Sequence, residues 1–123
     1  MICLDTNYLI LGLVADSCES ARILKWAQDG EQFCVSSIVW YEFLCGPITN
    51  EQEQAIRQLI KEIINFDTTM AEEGARLFNK TGRSRKIRVD AMIAAAAISR
   101  NAPIATQNVE DFARFAEFGL ELI

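Results

Sequence analysis

The sequence contains no histidine. That removes both the commonest general base near neutral pH and the commonest transition-metal ligand, so any acid–base or metal chemistry must rest on carboxylates. An all-oxygen site favours hard ions such as magnesium or manganese over zinc. Cysteine is sparse: Cys3, Cys18, Cys34 and Cys45 form no C-x-x-C pair, which argues against a zinc site or a disulfide scaffold and for core thiols in a reducing compartment. No uninterrupted apolar run exceeds the eight residues 91–98, far short of the roughly 20 that cross a bilayer. The opening Met1-Ile2-Cys3-Leu4-Asp5 leaves no room for a charged leader, so no secretory signal is expected and a cytoplasmic location is. Neither G-x-G-x-x-G nor a phosphate-cradling P-loop occurs, which disfavours a dinucleotide-binding enzyme.

What is present is a chain of 123 residues, half of them apolar. That length suits a single domain, residues 1–123, hiding roughly two-thirds of its unfolded surface without staples. The net charge of −5 disfavours nucleic acid at first sight, because its binders carry a basic field. The total conceals a division. Residues 76–88 hold Arg76, Lys80, Arg83, Arg85, Lys86 and Arg88 and no acid, while the other six basic residues share the remaining chain with all 17 acids. Such a segment suits a solvated loop, and equally a phosphate backbone approaching the acid that follows, Asp90.

Short apolar segments at 2–4, 33–35, 63–66 and 103–105, with a fifth at 120–123, read as buried strands. Helical spacing lies between them: a helix directly after Asp5, another over 18–28 with Ile23, Trp26 and Ala27 on one face, and one over 38–45 capped by Ser36 or Ser37. Further helices are expected over 50–62, from Thr68 or Thr69 to about 81, and over 89–100. This alternation predicts an α/β fold, a parallel sheet flanked by helices.

Three acids stand where a merely solvated side chain is not expected. Asp5 ends the first strand in Leu4-Asp5-Thr6-Asn7, at the carboxyl edge where open parallel sheets bind ligands, although the position also suits an ordinary helix cap. Glu42 lies in Trp40-Tyr41-Glu42-Phe43, with uncharged neighbours one turn away on either side. Unless that helix edge reaches water, its carboxylate must be protonated, paired or bound to a cation. Asp90, in Val89-Asp90-Ala91-Met92-Ile93-Ala94-Ala95, opens the alanine-rich helix, where an acid also serves the helix dipole. A fourth element, Ala105-Thr106-Gln107-Asn108 with Asp111-Phe112, follows the fourth strand to the same edge. Its Thr106 hydroxyl and Asn108 amide reach toward the same place, while Asp111 reads as turn and cap chemistry.

Taken in order, these motifs resemble those of a PIN domain, most closely the VapC-type toxins of toxin–antitoxin modules, over almost the whole chain. The resemblance implies a Rossmann-like sheet in the order 3-2-1-4-5 and a magnesium-dependent endoribonuclease, manganese being a substitute, with 5′-phosphate and 3′-hydroxyl products. It implies that Asp5, Glu42, Asp90 and Thr106 are catalytic, and that Asp5, Asp90, Glu42 and Asn108 hold the metal, with Glu42 often acting through a water. Thr6 is a further candidate at the edge of the site. Asn108 is neutral where many PIN domains carry a fourth acid, leaving three charges unless Asp111 turns inward. Implied partners are RNA, a small antitoxin whose tail covers the site, and a second copy of the chain, with Trp26, Trp40, Tyr41 and Phe43 available for contacts. Two other readings stand beside it. A receiver-type signalling domain would need paired acids after the first strand and a lysine after a late one, and neither is present; a non-catalytic PIN binding module would not need Asp5, Glu42 and Asp90 together.

Overall fold

Ile2, Cys3 and Leu4 are buried on both faces as strand β1 (Ile2–Leu4), as expected of the centre of a parallel sheet covered on both sides. The computed structural model describes residues 1–123. Strands β2 (Phe33–Ser36), β3 (Ile60–Ile64) and β4 (Ile104–Ala105) complete the sheet in the order β3-β2-β1-β4, all parallel. Cys3 is the register partner of Cys34 on one side and of Ile104 on the other. Helices α1 (Thr6–Gly12), α2 (Cys18–Gln28), α3 (Ser37–Leu44), α4 (Asn50–Leu59), α5 (Thr68–Lys80), α6 (Arg88–Ser99) and α7 (Val109–Ala113) connect and cover the strands. One cluster of 28 buried residues forms the core, with Phe33, Phe43, Phe112 and Phe115 among its largest fully buried side chains.

The sheet has four strands where the sequence suggested five. Residues 120–123 join it only through the parallel bridge of Leu122 to Ile104. Because β4 is two residues long, it offers a neighbour no ladder to extend, and two backbone bonds (Ile104 N–H to Glu121 O, 2.8 Å; Ile123 N–H to Ile104 O, 3.1 Å) complete the contact.

Other boundaries shift for local reasons. Helix α4 stops at Leu59, not 62, because Ile60 turns extended (ψ 124°) and the segment Ile60–Ile64 pairs with β2. Pairing with a neighbouring strand outweighs the helical stripe that the sequence shows there. Helix α4 is capped by Thr49 in a reciprocal box with Gln52, and α5 by Asp67 in place of Thr68 or Thr69, its Oδ1 accepting the Met70 N–H at 2.9 Å. Ser36 caps α3, accepting from the Val39 N–H at 3.0 Å.

Two of the four cysteines depart from the core reading. Cys3 and Cys34 are buried, whereas Cys18 begins α2 and Cys45 ends α3, both exposed at helix termini. Ala27 likewise faces solvent, so α2 anchors through Ile23, with Trp26 packed against the core. No helix is long and apolar enough to cross a membrane.

Candidate active site

The carboxyl edge of the sheet gathers the candidate residues from four elements. Where β1 ends, the Asp5 N–H donates to Ala105 O at 3.0 Å, so the chain leaves β1 and β4 side by side. Asp5 then caps α1, its Oδ1 accepting from the Thr6 N–H at 2.8 Å. Its other oxygen, Oδ2, accepts from the Thr106 hydroxyl at 2.7 Å. Thr106 Oγ1 in turn accepts the Asn108 N–H at 3.0 Å, which commits its single proton to Asp5. Both Asp5 and Thr106 are buried, each 5 % exposed. Burial pushes the Asp5 carboxyl above its usual range, while the bonds from Thr106 and Thr6 oppose that rise.

Glu42 is exposed, so its uncharged sequence neighbours do not enclose it. The face of α3 that enters the core carries Val39 and Phe43, and Glu42 sits at its margin. It is nonetheless held: Thr6 Oγ1 donates to Glu42 Oε1 at 2.7 Å. Thr6 therefore serves two acids, Asp5 through its amide and Glu42 through its hydroxyl.

Asp90, half-buried in the first turn of α6, bears the strongest perturbation at this edge. Burial, then the charges of Asp5, Asp111 and Glu42, push its carboxyl up to about 6, with Arg114 partly offsetting them. An acid raised by neighbouring acids is a site short of positive charge.

Asp111 supplies more of that repulsion than Glu42 does. Its side chain is only 14 % exposed and stands between Lys86 Nζ at 3.7 Å and Arg114 Nη2 at 3.5 Å. Asn108, by contrast, is exposed and makes no side-chain cap bond to α7. Asp111 thus does more than the turn and cap chemistry its sequence suggests, and its neighbour carries the signal. Asp111 adjoins Phe112, the fully buried anchor of α7, so this side of the short helix turns inward.

The acids lie within each other's electrostatic reach without being drawn to one point, and no three of them stand ready to hold a metal ion as placed. In donor chemistry they fit one: the set is all hard oxygen, and its mutual repulsion is what a divalent cation relieves.

The family model of the PIN domain matches residues 2–118. The chain belongs to the PIN domain family. No curated protein matches it, but solved structures do. This PIN domain is 30 % identical to a chain in a toxin–antitoxin complex from Klebsiella pneumoniae, with 92 % of this chain and 91 % of that one covered and a TM-score of 0.67. It shares its fold with a chain of FitAB bound to an IR36 DNA fragment (24 % identity, 100 % and 94 % covered, TM-score 0.76). The same holds for a chain of VapBC2 from Rickettsia felis bound to a DNA fragment from its promoter (21 % identity, 100 % and 98 % covered, TM-score 0.73).

Proposed function

We infer that this PIN domain is a metal-dependent endoribonuclease of the VapC type, the toxin of a toxin–antitoxin pair acting in the cytoplasm. The observation that carries the reading is Asp90, raised to about 6 by its burial and by three other acids at one sheet edge. Family membership and the likeness to a chain from a toxin–antitoxin complex support it.

Asp5, Asp90 and Glu42 are the residues to hold magnesium, or manganese in its place, with Asp111 as the fourth acid in preference to Asn108. When bound, the ion supplies a more acidic water and neutralises charge developing on the phosphate oxygens. The chain's own residues prepare that place. Thr106 fixes the Asp5 carboxylate by its 2.7 Å bond, leaving each carboxylate oxygen a further lone pair to offer. Thr6 holds Glu42 against the same end of α1. With no histidine in the chain, proton transfer at the leaving oxygen falls to water or to a carboxylic acid that does not hold the ion. The implied partners are RNA, a small antitoxin and a second copy of the chain.

The test is cleavage of structured and single-stranded RNA by the purified chain free of antitoxin. Cutting with magnesium, abolished by EDTA and absent in Asp90→Asn, is the expected result. A folded chain that leaves all RNA intact with magnesium or manganese present would overturn the reading.

A further inference from the structure

The basic segment does more than approach Asp90; part of it roofs a cavity. Helices α5 and α6 pack side by side, with Gly74 set against the backbone of Ala91 and Met92 (3.6 Å from a Cβ placed on Gly74). Beside this contact opens a cavity of about 530 Å³ lined by apolar residues including Phe66, Ala75, Phe78 and Met92, with Arg83 and Arg88 as its only charges. That volume is within the ordinary range for a small-molecule site, which is usually apolar with a few convergent polar groups.

The two arginines are placed by the fold. Helix α5 ends with Gly82 at φ +95° and Arg83 at φ +58°, and the Arg83 N–H returns to Phe78 O at 3.2 Å. This closing turn brings a side chain back over the last helical turn, so the Arg83 guanidinium lies 5.6 Å from the Phe78 ring centre. Arg88, the first residue of α6, reaches the same ring at 5.5 Å. Neither guanidinium has a carboxylate partner, whereas Arg76 is bound to Glu73 and Lys86 to Asp111. No acid lines the cavity. Two guanidinium groups free of carboxylates, Arg83 donating only to the Asn79 side chain, beside an aromatic, apolar floor complement a flat base carrying a phosphate.

We propose that this cavity is a nucleotide subsite, holding one base of the RNA strand while Arg83 and Arg88 take a phosphate. The proposal rests on the ribonuclease reading and extends it. Two positions along a helix are about 200° apart, so Arg88 faces α5 while Asp90 faces the sheet edge, across a helix about 10–12 Å wide. A strand of a few nucleotides crossing the start of α6 joins the two.

The experiment measures anisotropy of a dye-labelled single-stranded RNA 12-mer against Asp90→Asn protein, with cleavage by the unmodified active site assayed in parallel. Into both backgrounds go Arg83→Gln, Arg88→Gln and the cavity-filling Ala75→Trp. Each arginine change is expected to lower the salt slope of binding by about 0.7 and weaken affinity several-fold, and Ala75→Trp by about fivefold or more. Circular dichroism and gel filtration report fold and oligomeric state. Unchanged RNA affinity and slope in all three variants, with RNA still cut by the otherwise unaltered chain, overturns the subsite and leaves the nuclease standing. Lost affinity in a chain that never cuts RNA supports the subsite and removes the nuclease. A changed oligomeric state in Ala75→Trp with RNA affinity intact assigns the cavity to a contact between copies and overturns the proposal.

Discussion

Two neighbouring regions of this PIN domain handle like charge in opposite ways. At the sheet edge Asp5, Asp90 and Asp111 are at least half-buried, and that burial, followed by the charges of Asp5, Asp111 and Glu42, raises the Asp90 carboxyl to about 6. In residues 76–88 six cations are spread over exposed surface, where water screens them. Two are paired with carboxylates and two lie over Phe78. The difference separates a region that buries like charge from one that leaves it to water. Repulsion in a buried site is relieved by taking up a proton or a cation, whereas dispersed cations at the surface need no partner to be stable.

Breaking the acidic side has the largest expected effect. On the proposed nuclease reading, Asp90→Asn is expected to lower RNA cleavage at saturating magnesium by about a thousandfold, measured by initial rates on a labelled RNA; cleavage within about tenfold of the parent would remove Asp90 from the proposed metal-holding set. Thr106→Val comes next. It deprives the buried Asp5 Oδ2 of its 2.7 Å partner, and an outer residue that orients a metal ligand is worth about 10–100-fold in activity or metal affinity. As a positioning residue, Thr106 should show its loss as a raised magnesium requirement, and Thr106→Ser, which keeps the hydroxyl, should restore it. An equal loss in Thr106→Ser would mean that the methyl group, not the hydrogen bond, matters.

Two acids of this site are legible in the sequence because one caps a helix and the other lies in a helix's first turn. Asp5 follows β1 and Asp90 starts α6, and the positions of strand ends and helix starts follow from apolar runs and their breaks. Cys18–Gln28 and Ile2–Leu4 likewise appear with the bounds that periodicity gives. Tertiary contacts hide the rest. The helical stripe through residue 62 does not reveal that β2 takes Ile60–Ile64 as a strand, nor does a two-residue β4 announce that the fifth strand shrinks to one bridge. Glu42 looks enclosed when only its own helix is considered, and its exposure depends on which way α3 is rolled against the sheet. Asp111 is the converse, a residue of ordinary turn sequence whose inward turn is signalled only by the adjoining Phe112.

A smaller effect sharpens the comparison through stability. The folded chain holds the Asp90 proton more tightly than the unfolded chain, so ionising this acid lowers stability as pH climbs from about 4 to about 6, and the deficit stays constant above that. Asp90→Asn removes it. The variant should therefore be more stable than the parent by about 1 kcal/mol at pH 8, allowing for the half-exposure of the side chain, with the gain gone below about pH 4. Thermal melts at the two pH values check this, and magnesium at pH 8 should raise the parent's melting temperature more than the variant's. A variant less stable than the parent at pH 8 would show that the Asp90 carboxylate is satisfied rather than strained.

The smallest effect lies where the two regions touch. Lys86 Nζ stands 3.7 Å from Asp111, with the lysine side chain 73 % exposed, and pairs of that kind contribute at most about 0.5–1 kcal/mol. Asp111 also keeps Arg114, so losing Lys86 leaves no carboxylate without a cation. Lys86→Gln should accordingly shift the urea midpoint by less than about 0.5 kcal/mol equivalent, and 0.5 M salt should shrink even that difference. A loss above about 2 kcal/mol would mean that the segment over 76–88 is fastened to the acidic edge and helps hold it together. The contrast between a strained pocket and a free cationic flank would then dissolve into a single charge network.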